Sequence, residues 1–380
     1  MHIDQRWILL SWLFLDRIVY TLNWLAISPA QPFVAYEFGL GLTSLGFLGT
    51  IFLIGIGVFQ LPAAVLATKY GARKIALIGL LMSSLFAGLC GLAPNFETLL
   101  VFRFLTGVFL SFFFGPGIMF FTPLFGTKER GFALGIYNAG FHMGTLIAIG
   151  FWPMVISLVG WRNGLLIPGI LGILLTASTY RASLWVHEPP SSSDFGLSTA
   201  KNSVVLASAL GLGVAGAAWY PLTQFGIFYL NSEKNLGFET AGLLISILSV
   251  GSVVGAPVIG RIFDLTSSRK RLLYVLSLMS AFSLFLFAFS PVLLIPAVMF
   301  SVGFFYTGLN SLLYVAPLTV LSENKVAVAV ATVNCVHLIA ASTIPYIFAN
   351  VVETQGYLWG WAAMSALCLT AAIFIKALKL

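Results

Sequence analysis

Apolar residues run along this chain in stretches long enough to cross a bilayer, separated by short polar connections. A hydrocarbon core of about 30 Å needs roughly 20 apolar residues in a helix. Twelve segments meet that length, over approximately residues 7–36, 44–68, 74–93, 97–122, 131–158, 163–185, 203–230, 238–263, 271–290, 292–320, 326–351 and 357–376. Pro29 and Pro32 predict a kink or tilt in the first. The one compositional break is His187–Asn202, with Pro189, Pro190 and a run of serines. It predicts an N-terminal six-helix bundle over 1–187, a cytoplasmic linker over 188–202 and a C-terminal six-helix bundle over 203–380. The expected fold class is an all-α integral membrane protein of 12 transmembrane helices in two pseudo-symmetric bundles, with both termini cytoplasmic.

The two halves carry a repeat. Ala64–Lys74 follows the second segment and Gly260–Lys270 follows the eighth, and they align at an offset of 196. The same offset places Asn138 on Asn334. Each Asn is followed on its helical face by a histidine, His142 at i+4 and His337 at i+3. Two related six-helix halves are the pattern of a secondary transporter, with its binding site between them near the midplane.

Composition agrees. Only 8% of the 380 residues are charged, against 59% hydrophobic and 34 phenylalanines. A soluble domain averages about 25% charged residues, so a soluble enzyme, a nucleic-acid binder and a disordered scaffold are excluded. The net charge of +7 is explained by its placement. With both termini inside, 15 of the 19 Lys and Arg fall in inner loops and tails, and only Arg162 and Lys234 fall outside. That bias fixes the orientation and anchors the inner loops to an anionic leaflet. The first apolar run is too long for a cleavable signal and carries charges. Cys90, Cys335 and Cys368 lie in apolar runs without metal spacing and read as packing residues. No cofactor is expected.

Three residues of fixed charge remain within spans: Asp16, Arg17 and Arg103. Each costs about 2.5–3.5 kcal/mol at a helix centre, and such residues commonly mark a transport pathway. Asp16 and Arg17 fall near mid-membrane at 1.5 Å per residue. Arg17, Tyr20 and Trp24 share one face, with Asn23 beside it. The Arg fork matches a carboxylate or phosphate, so Arg17 is the candidate anion clamp. Asp16, the only acid within a span, is the candidate proton carrier, with Arg103 grouped beside it. For Arg103 a bond to neighbouring backbone stays equally open. Tyr220 with Gln224, and Asn310 with Tyr314, share helical faces at i and i+4. Together with Asn138, His142, Asn334 and His337 they are candidate partners for substrate hydroxyls, with interhelical packing as the alternative.

These residues resemble the major facilitator superfamily. Ala64–Lys74 and Gly260–Lys270 are similar to its loop signature G-x-x-x-D-R-x-G-R-[RK]. Arg103–Gly107 is similar to its R-x-x-x-G motif, and Gly160-Trp161-Arg162 to its usual start of helix six. The resemblance implies two bundles rocking about a central cavity. It also implies an inner latch formed by Arg73, Asp264 and Arg269, weighted toward Asp264 because Ala64 and Thr68 replace the usual Gly and Asp in the first loop. Leu15-Asp16-Arg17-Ile18-Val19-Tyr20, Ala26-Ile27-Ser28-Pro29 and Gln60-Leu61-Pro62 resemble the anion:cation symporters. In that group the helix-one Arg binds the substrate carboxylate and the adjacent Asp takes part in proton coupling. The group commonly carries an acid in helix four, where this chain has Thr106 and Leu110.

The sequence therefore predicts a secondary transporter for a small organic anion, with proton symport, acting as a monomer in the cell membrane. Exchange or uniport of the same anion is the alternative. A drug-type proton antiporter is a further one, against which helix five lacks the G-x-x-x-G-P-x-x-G-G pattern. No nucleophile and base set suggests an enzyme, and no phosphate loop suggests a pump.

Overall fold

The computed structural model describes residues 4–126, 129–186, 201–319 and 326–378. The helices follow the hydrophobic pattern closely. They are α1 (Gln5–Phe38), α2 (Leu42–Tyr70), α3 (Ala72–Cys90), α4 (Phe96–Leu124), α5 and α6 within the continuous Phe132–Ala182, α7 (Ser203–Ser232), α8 (Phe238–Phe263), α9 (Arg269–Phe289), α10 (Val292–Tyr314), α11 (Ala329–Gln355) and α12 (Tyr357–Lys376). Gly160, at φ 79°, turns the chain between α5 (132–159) and α6 (161–182). Of the linker expected at 188–202, only 201 and 202 lie among the described residues.

Prolines break several spans near mid-membrane. The first divides into Gln5–Leu25 and Ile27–Phe38, because Pro29 has no N–H for the carbonyl of Leu25 four residues earlier. Pro62 does the same to α2 after Val58, and Pro221 to α7, whose helix ends at Ala215 and resumes at Tyr220. In α5, Pro153 follows a five-residue π turn at Ile147–Phe151. Non-regular backbone is tolerated at this depth only where protein or a cavity covers it. These breaks therefore surround the interface between the halves.

Packing repeats across the halves. Within the first, α1 packs on α5, α2 on α4, and α3 on α4 and α6. Within the second, α7 packs on α11, α8 on α10, and α9 on α10 and α12. The halves meet through α2 with α11, α5 with α8, and α1 with α7. Their described hydrogen bonds lie at outer and middle levels. The Ser28 hydroxyl donates to the carbonyls of Thr223 and Gln224. Thr50 donates to the Ser342 carbonyl at 2.6 Å, and Thr43 to the Glu353 carboxylate. At the outer surface Glu37 accepts from Arg162 at 2.5 Å and from the Trp161 indole at 2.8 Å. This staple ties the end of α1 to the start of α6. Its carboxyl and guanidinium groups are part-exposed, so it is worth about 1 kcal/mol or less.

Of the expected latch residues, Arg73 serves a helix end here. Arg73 donates to the carbonyls of Ser183 and Val186 at the end of α6, at 2.8 and 3.3 Å. In the second half the neighbouring repeat position takes this part: Lys270 reaches the carbonyls of Lys376 and Leu378 after α12. A cation here meets the partial negative charge of a helix C-terminus. The Arg269 guanidinium lies over Phe263 at 4.9 Å. The side chain of Asp264 lies outside the described residues.

Candidate functional site

Arg17 is buried at mid-membrane, with aromatic rings around it. Its guanidinium carbon stands 4.2 Å from the ring of Tyr20, 4.3 Å from Phe114, 5.0 Å from Phe141 and 5.4 Å from Tyr137. Ring faces attract the cation and exclude water. Its Nε and Nη1 have no hydrogen-bond partner, and no carboxylate of the chain forms an ion pair with it among the described residues. Close approach of α5 makes the box. A Cβ on Gly140 would come within 2.7 Å of the Phe14 carbonyl and 2.9 Å of the Arg17 Cβ. Arg17 thus has what an anion clamp needs: a cation already desolvated, with Nε and Nη1 free to donate.

Adjacent Asp16 points elsewhere, as the roughly 100° step between neighbours on a helix requires. It is fully buried, and its Oδ2 accepts from the Thr179 hydroxyl of α6 at 2.7 Å while Oδ1 has no partner. Asp16 and Arg17 are therefore not an ion pair.

Several expected substrate contacts are placed away from this box. Asn23 donates to Ser84 of α3 at 2.9 Å, on the side of α1 that faces its own half. Gln224 donates to the Leu45 carbonyl of α2 at 2.9 Å, so it closes the outer side rather than presenting a free amide. Asn138 is exposed on the inner part of α5, and the ring of neighbouring Phe141 lies edge-on to His142 at 5.8 Å. The sequence symmetry between Asn138 and Asn334 does not extend to their surroundings. Arg103 follows the backbone reading: it donates to the carbonyls of Asn23 at 3.1 Å and Trp24 at 3.2 Å, with Phe52 beneath it at 4.2 Å. Those carbonyls lie where α1 breaks, so Arg103 caps the break. Arg103→Gln is expected to lower stability by about 2–3 kcal/mol, since two buried acceptors lose their donor. Thermal unfolding of the purified protein measures this. A variant as stable as wild type would show that the carbonyls find other donors.

The second half does assemble the predicted residues other than Gln224. Tyr314 donates to Asn334 Oδ1 at 2.7 Å, and its hydroxyl stands 3.2 Å from His337 Nδ1. Tyr220 reaches His337 Nε2 at 3.4 Å, and Asn310 donates to the Tyr306 hydroxyl at 3.3 Å. This is a neutral network of hydroxyl, amide and imidazole groups, drawn from α7, α10 and α11. Between it and the Arg17 box stands Trp219, which the sequence did not single out. Its ring is 6.0 Å from Phe141 and 6.5 Å from Tyr306, stacked on both, and it meets Trp24 edge-on at 6.4 Å. On the outer side of these tryptophans is a cavity of about 30 Å³, bounded by Trp24, Ser28, Gln31, Arg103, Tyr220 and Gln224. That is room for one or two waters, not for a solute.

Comparison with known proteins adds the family. Residues 13–345 match the Major Facilitator Superfamily. A probable L-galactonate transporter of Escherichia coli (strain K12) is 25% identical, over 95% of this chain and 86% of that one. A probable galactarate/D-glucarate transporter of the same strain is 24% identical, over 82% and 80%. Among solved structures, a bacterial homologue of the human lysosomal transporter Spinster, inward-facing and occupied, superposes with a TM-score of 0.80 at 18% identity, covering 99% of this chain and 97% of that one. At that identity the likeness speaks for the fold alone. A family match over most of both halves, on twelve spans around a desolvated arginine, has one meaning: the chain belongs to the Major Facilitator Superfamily, and is a multi-pass transporter of the cell membrane rather than an enzyme.

Proposed function

We propose that this protein carries a small organic anion across the membrane by alternating access, with Arg17 as the carboxylate clamp. The observation that carries this reading is the Arg17 box: a buried guanidinium among four aromatic rings, with Nε and Nη1 unbonded. An anion entering it regains the interaction the guanidinium lost with water. The neutral network of Tyr220, Tyr314, Asn310, Asn334 and His337 suits hydroxyl groups at the other end of the same molecule. The substrate class is then a polyhydroxylated acid bound through a single carboxylate, with one half holding the charge and the other the hydroxyls. The relatives named for L-galactonate and for galactarate/D-glucarate transport point to the same chemistry. The two six-helix halves, joined through 188–202, are the rocking units, and the working protein is a monomer in the lipid bilayer.

Proton symport is the mechanism proposed, with Asp16 as the proton carrier. Its buried carboxylate has one oxygen on Thr179 and one without a partner, so a proton can be taken up there without breaking an ion pair. Exchange or uniport is the second reading. It is favoured by the separation of Asp16 from Arg17 and by Thr106 and Leu110 in helix four. Uptake of L-galactonate into proteoliposomes, with and without an inward proton gradient, separates the two. The gradient is expected to drive accumulation above the external concentration. Uptake that only equilibrates, at the same rate with or without the gradient, would establish the second reading.

A further inference from the structure

Tyr137 of α5 carries a hydroxyl that packing does not explain. The residue is fully buried, and its hydroxyl has no hydrogen-bond partner. Its ring is enclosed by phenylalanines, 5.1 Å from Phe121, 6.2 Å from Phe113 and 6.5 Å from Phe114. A phenylalanine would fill that space equally well. The oxygen is nevertheless accommodated, because α4 has a glycine beside it: a Cβ on Gly117 would stand 2.8 Å from the Tyr137 Oη. A hydroxyl buried without a partner destabilises the unliganded protein. A ligand that supplied the acceptor would offset that cost.

That acceptor has a place to come from. Phe114 is stacked nearly parallel to the Tyr137 ring, at 10°, and also lies against the Arg17 guanidinium at 4.3 Å. Phenol and guanidinium are thus neighbours on one aromatic wall, 5.4 Å from guanidinium carbon to Tyr137 ring centre. Both hold unused donors: Nε and Nη1 on one, the O–H on the other. A carboxylate offers about four lone-pair sites, and an arginine fork takes two. We propose that the Tyr137 hydroxyl is a second donor to the carboxylate held by Arg17, and so a substrate-binding residue. This rests on the reading of Arg17 as the clamp. A neutral donor adds no charge, so the pair remains matched to one carboxylate, and the phenol sets its orientation by accepting a single direction of approach.

Tyr137→Phe removes one oxygen and keeps the ring. Two measurements on purified protein test the proposal: the Kd for L-galactonate and the melting temperature without ligand. Loss of a hydrogen bond to a charged acceptor is expected to raise the Kd about tenfold or more. The unliganded melting temperature is expected to stay level or rise, because no native bond is lost. Arg17→Ala, measured alongside, is expected to abolish binding. If Arg17→Ala abolishes binding while Tyr137→Phe binds within twofold of wild type, the second-donor role is wrong and the clamp stands. If Tyr137→Phe weakens binding but also lowers the unliganded melting temperature, the hydroxyl is structural and the proposal fails. If Arg17→Ala binds like wild type, the clamp reading falls and this inference with it.

Discussion

Arg17→Ala is expected to reduce L-galactonate uptake by at least 100-fold while leaving a folded, membrane-inserted protein. The reasoning comes from what Arg17 touches. In the proposed role it would hold the anion through charge-assisted hydrogen bonds, worth about 1.5–3 kcal/mol each, and a fork makes two. Within the protein its contacts are the aromatic rings and a bond with Tyr20, and Nε and Nη1 hold no carbonyl or carboxylate. Removing a buried cation that has no ion-pair partner relieves a desolvation cost that offsets the lost ring contacts. Unliganded stability should therefore change little as transport disappears. Arg17→Lys is expected to recover little, because an ammonium cannot lie flat between Tyr20 and Phe114 or present two parallel donors. Initial rates in proteoliposomes, with melting temperatures of the same preparations, check both halves of this expectation. Uptake that survives Arg17→Ala would remove the clamp.

Asp16→Asn is expected to separate accumulation from movement. The amide occupies nearly the same volume, and its oxygen can still accept from Thr179, so the contact between α1 and α6 persists. What it lacks is a carboxylate to gain and lose a proton. Under an inward proton gradient, accumulation should fall to equilibration, a loss as complete as the gradient's contribution in wild type. Exchange of internal for external substrate should continue, since it needs no net proton movement. Thr179→Val, which removes the hydroxyl from Oδ2, is expected to shift the pH dependence of accumulation without abolishing it. Accumulation by Asp16→Asn equal to that of wild type would remove Asp16 from the coupling mechanism.

Much of this molecule was legible in its sequence. The apolar lengths alone placed the helices, because a bilayer forces nearly all backbone polar groups into internal hydrogen bonds. The twelve expected segments match the spans to within a few residues, and the repeat offset of 196 foretold the repeated packing of the halves. The C-terminal polar network was legible in part through spacing: one member of each i and i+4 pair, Tyr220 of α7 and Tyr314 of α10, converges with Asn334 and His337, while Gln224 and Asn310 bond elsewhere. Other features were not readable, for definite reasons. Asn23 and Arg17 are close in sequence, but the helix sends one to Ser84 and the other into the aromatic box. Gln224 shares its helix face with Tyr220 of the C-terminal network, but the Leu45 carbonyl that holds it comes from the packing of α2. Arg103 bonds to carbonyls exposed by a break that Pro29 causes on another helix. The aromatic rings of Phe114 and Phe141 are not distinguished by sequence, because a chain with 34 phenylalanines gives no reason to choose among them. Only a neighbouring guanidinium identifies those that matter.

The central claim is that the transported solute is recognised by its carboxylate. The most direct test is competition against labelled L-galactonate uptake by wild-type proteoliposomes. The competitors are unlabelled L-galactonate, the uncharged polyol galactitol and a lipophilic cation. Only the carboxylate is expected to suppress uptake. Equal suppression by galactitol would show that the hydroxyls alone are read, and suppression by the cation would place the protein with the drug-type antiporters, in either case contradicting the role given to Arg17.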